Sequence, residues 1–278
     1  MKLIQLACIA SLSIGAPTSQ DRDPSAPVTD RAALQEAQAR LLALLAERGV
    51  VLEESLGLCA IPSRIGVTND YLEYLLVARH GAVHESMFVT DVDAELLNTA
   101  LLALGVSPGR NASWAPKDPA PGEEEIRQGV SPYVVEPPSG DGFYLYAAWR
   151  EGDELYCHRI EDLVRDLATG RTMKRHRWVY LGSRMVPFER GGEERFAAAV
   201  EGNLINIAFF TAGNTLLTAG LEACVEQTIW LANPWMLPAF ESPVLMIFAR
   251  ERLTALPPSL DKHVPELVAN PLPRSDSR

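Results

Sequence analysis

The sequence is short of basic residues, of cysteine and of long apolar runs, and each shortage removes a class of function. Its 278 residues carry 36 Asp and Glu against 25 Lys and Arg, a formal charge of −11. A chain that acidic lacks the basic face of a non-specific nucleic-acid binder, and an anionic membrane surface repels it. Four cysteines are present and none forms a CxxC, so neither a redox pair nor a zinc knuckle is on offer. Beyond the N-terminus no apolar run approaches the ~20 residues that span a bilayer. No internal repeat stands out.

What is present begins with a targeting signal. Lys2, the apolar run Leu3–Ile14 and the small residues Ser13 to Ala16 predict a signal peptide over residues 1–16. Cys8 follows Gln5-Leu6-Ala7 without the leucine expected three places upstream, which argues against lipidation. Residues 17–29 (including TSQDRDPSAPV) read as a disordered linker. Export to the periplasm or the extracellular space of a bacterium is therefore expected. The mature chain keeps Cys59, Cys157 and Cys224, enough for at most one internal disulfide. Their apolar neighbours predict small buried hydrophobes.

Residues 30–49 predict an amphipathic helix, with Leu34, Ala37, Leu41, Leu44 and Leu45 at helical spacing and Gly49 as its stop. Residues 50–252 alternate strand and turn signals. Tyr71–Ala78 and Val83–Thr90 predict two strands joined as a hairpin at Arg79-His80-Gly81-Ala82. Asp91 and Asp93 suit the start of a helix that ends at Gly105. Phe196–Val200 reads as a strand. Residues 253–278, rich in Pro, Ser and charge, read as a loose tail. The expected fold class is α+β: a mostly antiparallel sheet with two or three packed helices in a single domain.

The same blocks carry a resemblance. Ala60-Ile61-Pro62, Leu72-Glu73-Tyr74-Leu75-Leu76-Val77, His84-Glu85-Ser86 and Ala103-Leu104-Gly105 form the first. Trp178-Val179-Tyr180-Leu181-Gly182-Ser183 forms a second, and Val200-Glu201-Gly202-Asn203-Leu204-Ile205 with Trp230 and Asn233 a looser third. Together they resemble the YdjY-like domain family of bacterial proteins over residues 50–250. The resemblance implies one continuous unit and no known reaction. Some relatives accompany iron–sulfur modules, but this chain has no cysteine ladder for a cluster. Where that family carries an acidic, Asn-Pro-containing stretch, this chain reads TAGNTLLTAGLEACVEQTIW.

Chemistry concentrates in the expected hairpin. In antiparallel register Glu73, His84 and Ser86 share one face and Glu85 takes the other. A serine–histidine–carboxylate arrangement is one reading, although a nucleophile normally sits on an exposed sharp turn rather than in mid-strand. A metal at His80 and His84 is a second, and needs the turn to fold back. The third reading, favoured here, is a sheet-stabilising pair in which His84 is bonded to Glu73. His176 sits in the basic run Lys174-Arg175-His176-Arg177, read as a solvated loop. No cofactor is called for. These features lead to the expectation of a non-catalytic module that binds a protein, a peptide or a cell-envelope component. The alternative is a hydrolase or metal-dependent enzyme using Glu73, His84, Glu85 and Ser86.

Overall fold

The computed structural model describes residues 28–188 and 192–267. The expected signal peptide, nearly all of the linker and the end of the tail lie outside the described residues. Eight strands close into a barrel: β1 (Leu58–Ile65), β2 (Tyr74–Ala78), β3 (Ser86–Thr90), β4 (Gly142–Glu151), β5 (Trp178–Tyr180), β6 (Asn203–Asn206), β7 (Leu217–Thr218) and β8 (Pro243–Ala249). Around the ring they run β1-β3-β2-β6-β7-β5-β4-β8. The pairing of Arg64 and Ile65 with Val89 and Phe88 closes it.

This corrects the expected sheet with packed helices. Alternating apolar residues predict strands but do not say whether the outer strands meet. Here both faces of β1, β4 and β8 are apolar. Cys59, Ile61, Leu145, Ala147, Met246 and Phe248 join the main cluster. Their neighbours Leu58, Ala60, Tyr146, Ala148, Leu245 and Ile247 join a second cluster, which Leu260 and Val264 complete. The segment before residue 267 is thus packed against the barrel rather than loose.

The barrel is built twice. Exchanging β1 with β5, β2 with β6, β3 with β7 and β4 with β8 reproduces the same ring. In each half the third strand slots between the first and second, parallel to the second. Tyr74 pairs with Ser86 and Ile205 with Leu217, a separation of twelve positions in both. The hydrogen bonds repeat as well. Ala78 N donates to Gly202 O (2.7 Å), and Ile207 N donates to Glu73 O (2.8 Å). Equating residues 129 apart (78 with 207, 73 with 202) turns one bond into the other. Gly66 N to Met87 O recurs as Leu181 N to Leu216 O, both 2.8 Å. Ile65 N to Ser242 O recurs as Tyr180 N to Asp141 O. The chain therefore has an internal repeat that its residue types conceal.

Among the helices, α1 (Val28–Glu47) buries Leu45 while Leu44 stays exposed, so it is held mainly by its last turn. The helix α2 (Ala94–Ala103) packs Leu97, Ala100 and Leu101 into the main cluster. The expected strand at 196–200 is a short helix, α3 (Ala197–Glu201), in keeping with its run of three alanines. Cys59, Cys157 and Cys224 are free thiols. Burial pushes the Cys59 thiol up to about 12, as an inert core position requires.

His176 is buried rather than solvated. Its Nδ1 lies 3.0 Å from Lys174 O, and its Nε2 is buried without a partner. A second proton would have no acceptor, and burial lowers the pKa of both His176 and His158. The sign follows directly. The unfolded chain takes up these protons first as pH falls below the ordinary value of 6.5, so stability drops on acidification. A denaturation midpoint measured at about pH 5.5 is expected below that at about pH 7.5, with a flatter dependence in His176→Gln.

Candidate functional site

The stretch from Glu73 to Ser86 is not a hairpin. Strands β2 and β3 lie parallel, and residues 79–85 carry the chain back to begin β3 beside the start of β2. Residues Val83–Glu85 form one 3₁₀ turn on the way. The expected antiparallel register is replaced by a parallel one, with Tyr74 beside Ser86 and Leu76 beside Phe88. Gly81 had suggested a tight two-strand turn, but its backbone is needed for a close approach to the other half.

Each residue singled out in the sequence now has a place. Ser86 is fully buried, and its hydroxyl donates to Phe88 O at 3.0 Å. Thr215, its counterpart in the second half, puts its hydroxyl 2.9 Å from Leu217 O. The hydroxyl is thus a repeated structural bond at the start of the inserted strand, not a nucleophile awaiting substrate. His84 is not bonded to Glu73. Its side chain is 80% exposed, with Nε2 3.9 Å from Glu85 Oε1. Glu73 has a raised carboxyl pKa because of partial burial first and the Glu85 charge second, with His84 opposing them. His80 turns the other way, its Nε2 2.9 Å from Ala199 O. Neither the triad nor a paired-histidine site is assembled. Among the described residues no group of three or more His, Cys, Asp or Glu is arranged to hold a metal. Ser86→Ala is expected to cost about 0.5–1.5 kcal/mol in a denaturant titration, and Thr215→Val a similar amount.

The two returning loops are equivalent in place and length, residues 79–85 and 208–214, yet they differ in what they enclose. The first closes on backbone at Gly81, and a separate cavity of about 190 Å³ lies at its Arg79–His80 end, lined also by Asp91, Asp93 and Ala199. A Cβ on Gly81 would lie 2.5 Å from Gly202 O, and one on Gly202 2.7 Å from Gly81 N. Asn203, opening β6, accepts from Ala82 N with its Oδ1 at 3.0 Å. In the second loop the counterpart of Gly81 is Phe210, and the counterpart of Asn203 is Tyr74. Their rings stack with centroids 5.2 Å apart and planes 12° from parallel. Where glycine and asparagine close the first loop on backbone, an aromatic pair props the second open.

Beside that pair lies a cavity of about 190 Å³ lined by Tyr74, Asn111, Glu201, Asn206, Phe210 and Asn214, among others. Its polar side chains are held in place. Asn111 Nδ2 donates to Phe210 O at 2.7 Å, which fixes the amide and leaves its buried Oδ1 without a partner. Asn206 Nδ2 donates to Thr218 Oγ1 at 3.0 Å, and its Oδ1 lies 2.5 Å from the Thr215 hydroxyl. Asn214 donates to Glu201 Oε1 and accepts from Arg184 Nε at 2.7 Å. The Tyr74 phenol is pushed up to about 12, by burial first and then by the charges of Glu73, Glu85 and Glu201. It stays neutral at ordinary pH, able both to donate and to accept. Fixed amides, a neutral phenol and an aromatic wall suit recognition.

Tyr74 and Asn206 sit among apolar strand residues and Asn111 and Asn214 in connecting segments, so no spacing in the sequence marks the four as one group. The available signal was the correspondence of HESMF with GNTLL, a hydroxyl residue before an apolar pair. It is legible only once the halves are superposed. Comparison of the chain with protein-family models, with curated proteins and with solved structures finds no match. The chemistry of the site rests on its own residues.

Proposed function

We propose that the protein is an exported, non-catalytic binding module of the bacterial cell envelope, of the YdjY-like kind, and that its ligand seats in the cavity of the second loop. The observation that supports this is the difference between two otherwise equivalent loops, one sealed by Gly81 against Gly202 and the other held open by Tyr74 and Phe210. A duplicated scaffold needs only one opened copy to present a site, and the sealed copy keeps the barrel rigid beneath it. The burial of Ser86 and the exposure of His84 weigh against the hydrolase alternative.

The test is a broad small-molecule thermal-shift screen on the full mature chain, repeated on Ala212→Phe, which narrows the cavity, and on His84→Ala. Hits are expected to vanish in Ala212→Phe and to persist in His84→Ala. Hits that survive narrowing of the cavity but disappear with His84 would overturn this reading.

A further inference from the structure

We infer that the second-loop cavity takes a small primary alkylammonium group, an inference that rests on the binding reading above and names its ligand class.

Charge is the first support. Glu201 lines the cavity directly, and Glu73 and Glu85 lie near enough to act on the Tyr74 phenol. No lysine or arginine is among the lining residues. The Arg184 guanidinium is outside the lining and donates its Nε to Asn214 Oδ1 at 2.7 Å. In a chain of formal charge −11, an anion entering here meets the Glu201 carboxylate and finds no lysine or arginine in the cavity wall.

Hydrogen-bonding capacity is the second support. The side-chain donors around the cavity are largely spent inside the protein. Asn111 gives its amide to Phe210 O, Asn206 gives its own to Thr218, and Asn214 donates to Glu201. Acceptors outnumber the one donor left over: the second oxygen of the Glu201 carboxylate, the unpartnered Oδ1 of Asn111 and the Tyr74 oxygen stand against the Tyr74 O–H. An alkylammonium brings three donors and no acceptor, the complement of that surplus. The aromatic wall is the third support. Tyr74 and Phe210 both line the cavity, and their rings offer a quadrupole to a cation. The volume of about 190 Å³ limits the group to a few carbons.

Isothermal titration of the full mature chain with n-butylamine, n-butanol and butyrate, at low and at high salt, tests this. Butylamine is expected to bind at least tenfold more tightly than butanol, to weaken with salt, and to lose at least tenfold in both Glu201→Gln and Tyr74→Leu. Butyrate is expected not to bind. Glu201 is on the surface, so an unchanged melting temperature in Glu201→Gln separates lost binding from lost folding. Equal binding of butanol, tighter binding of butyrate or silence from butylamine would each overturn the ammonium assignment. If neutral amides or sugars from the screen bind instead and are lost in Ala212→Phe, the binding function stands and only the ligand class falls.

Discussion

Replacing Glu161 by leucine is expected to lower the stability of the barrel by about 3–5 kcal/mol, a large share of the total for an ordinary domain. Glu161 is fully buried and accepts from four donors. Arg159 supplies Nε at 2.9 Å and Nη2 at 2.6 Å, Trp178 its indole N–H at 3.1 Å, and His176 its backbone N–H at 3.3 Å. Arg159 ends the strand that pairs with β4, opposite Tyr146, whereas Trp178 opens β5, so one carboxylate ties the end of the first half to the start of the second. Its removal leaves a guanidinium that is only 9% exposed, with His176 O (2.7 Å) as its remaining polar partner in this cluster. The Trp178 N–H is stranded in the core at the same time. The penalty lies mainly in that uncompensated charge. The double variant Arg159→Met with Glu161→Leu is therefore expected to recover much of the loss. A double-mutant cycle by chemical denaturation measures it, and strictly additive effects would contradict the account.

Gly202→Ala is expected to cost about 2–5 kcal/mol, by combining a left-handed backbone penalty with overpacking. Gly202 has φ +71°, and its new Cβ would meet Gly81 N at 2.7 Å and His80 Cδ2 at 2.9 Å. Backbone cannot yield as the end of a flexible side chain does. Gly202 O is also the acceptor for Ala78 N, so relief of the clash disturbs the junction of β2 with β6 at the centre of the repeat. Gly152→Ala is the control. It has φ +59° and nothing within 4 Å of the added carbon, so only the backbone penalty applies, about 1–2 kcal/mol. Denaturant midpoints for the two variants separate steric sealing of the first loop from backbone preference.

How far these features were legible in the sequence depended on the range of the interaction. Strands such as Leu58–Ile65 and Pro243–Ala249 were visible as apolar runs. The helix α2 was visible through Leu97, Ala100 and Leu101 with its stop at Gly105. Closure was not visible, because it rests on two residue pairs between β1 and β3, 25 and 23 positions apart in the chain. The parallel return after β2 was hidden because a glycine between two apolar runs is also the signature of a hairpin. The repeat was hidden because a backbone can be duplicated while its side chains diverge. His84 stands opposite Gly213 and Glu85 opposite Asn214, and only the hydroxyls of Ser86 and Thr215 keep a common bond. The candidate site was not legible: none of Glu73, His84, Glu85 and Ser86 lines the cavity. Only Tyr74, the chain neighbour of Glu73, reaches it, because successive strand residues face opposite ways.

The central claim, a duplicated barrel with one loop sealed and its twin open for binding, is tested most directly by amide chemical shifts. In a titration of the ¹⁵N-labelled protein with n-butylamine, the amides of residues 208–215 and of Tyr74 are expected to move together, while those of residues 79–86, apart from neighbours of Tyr74, stay in place. Movement centred on His84, Glu85 and Ser86, or no saturable movement in either loop, would contradict it.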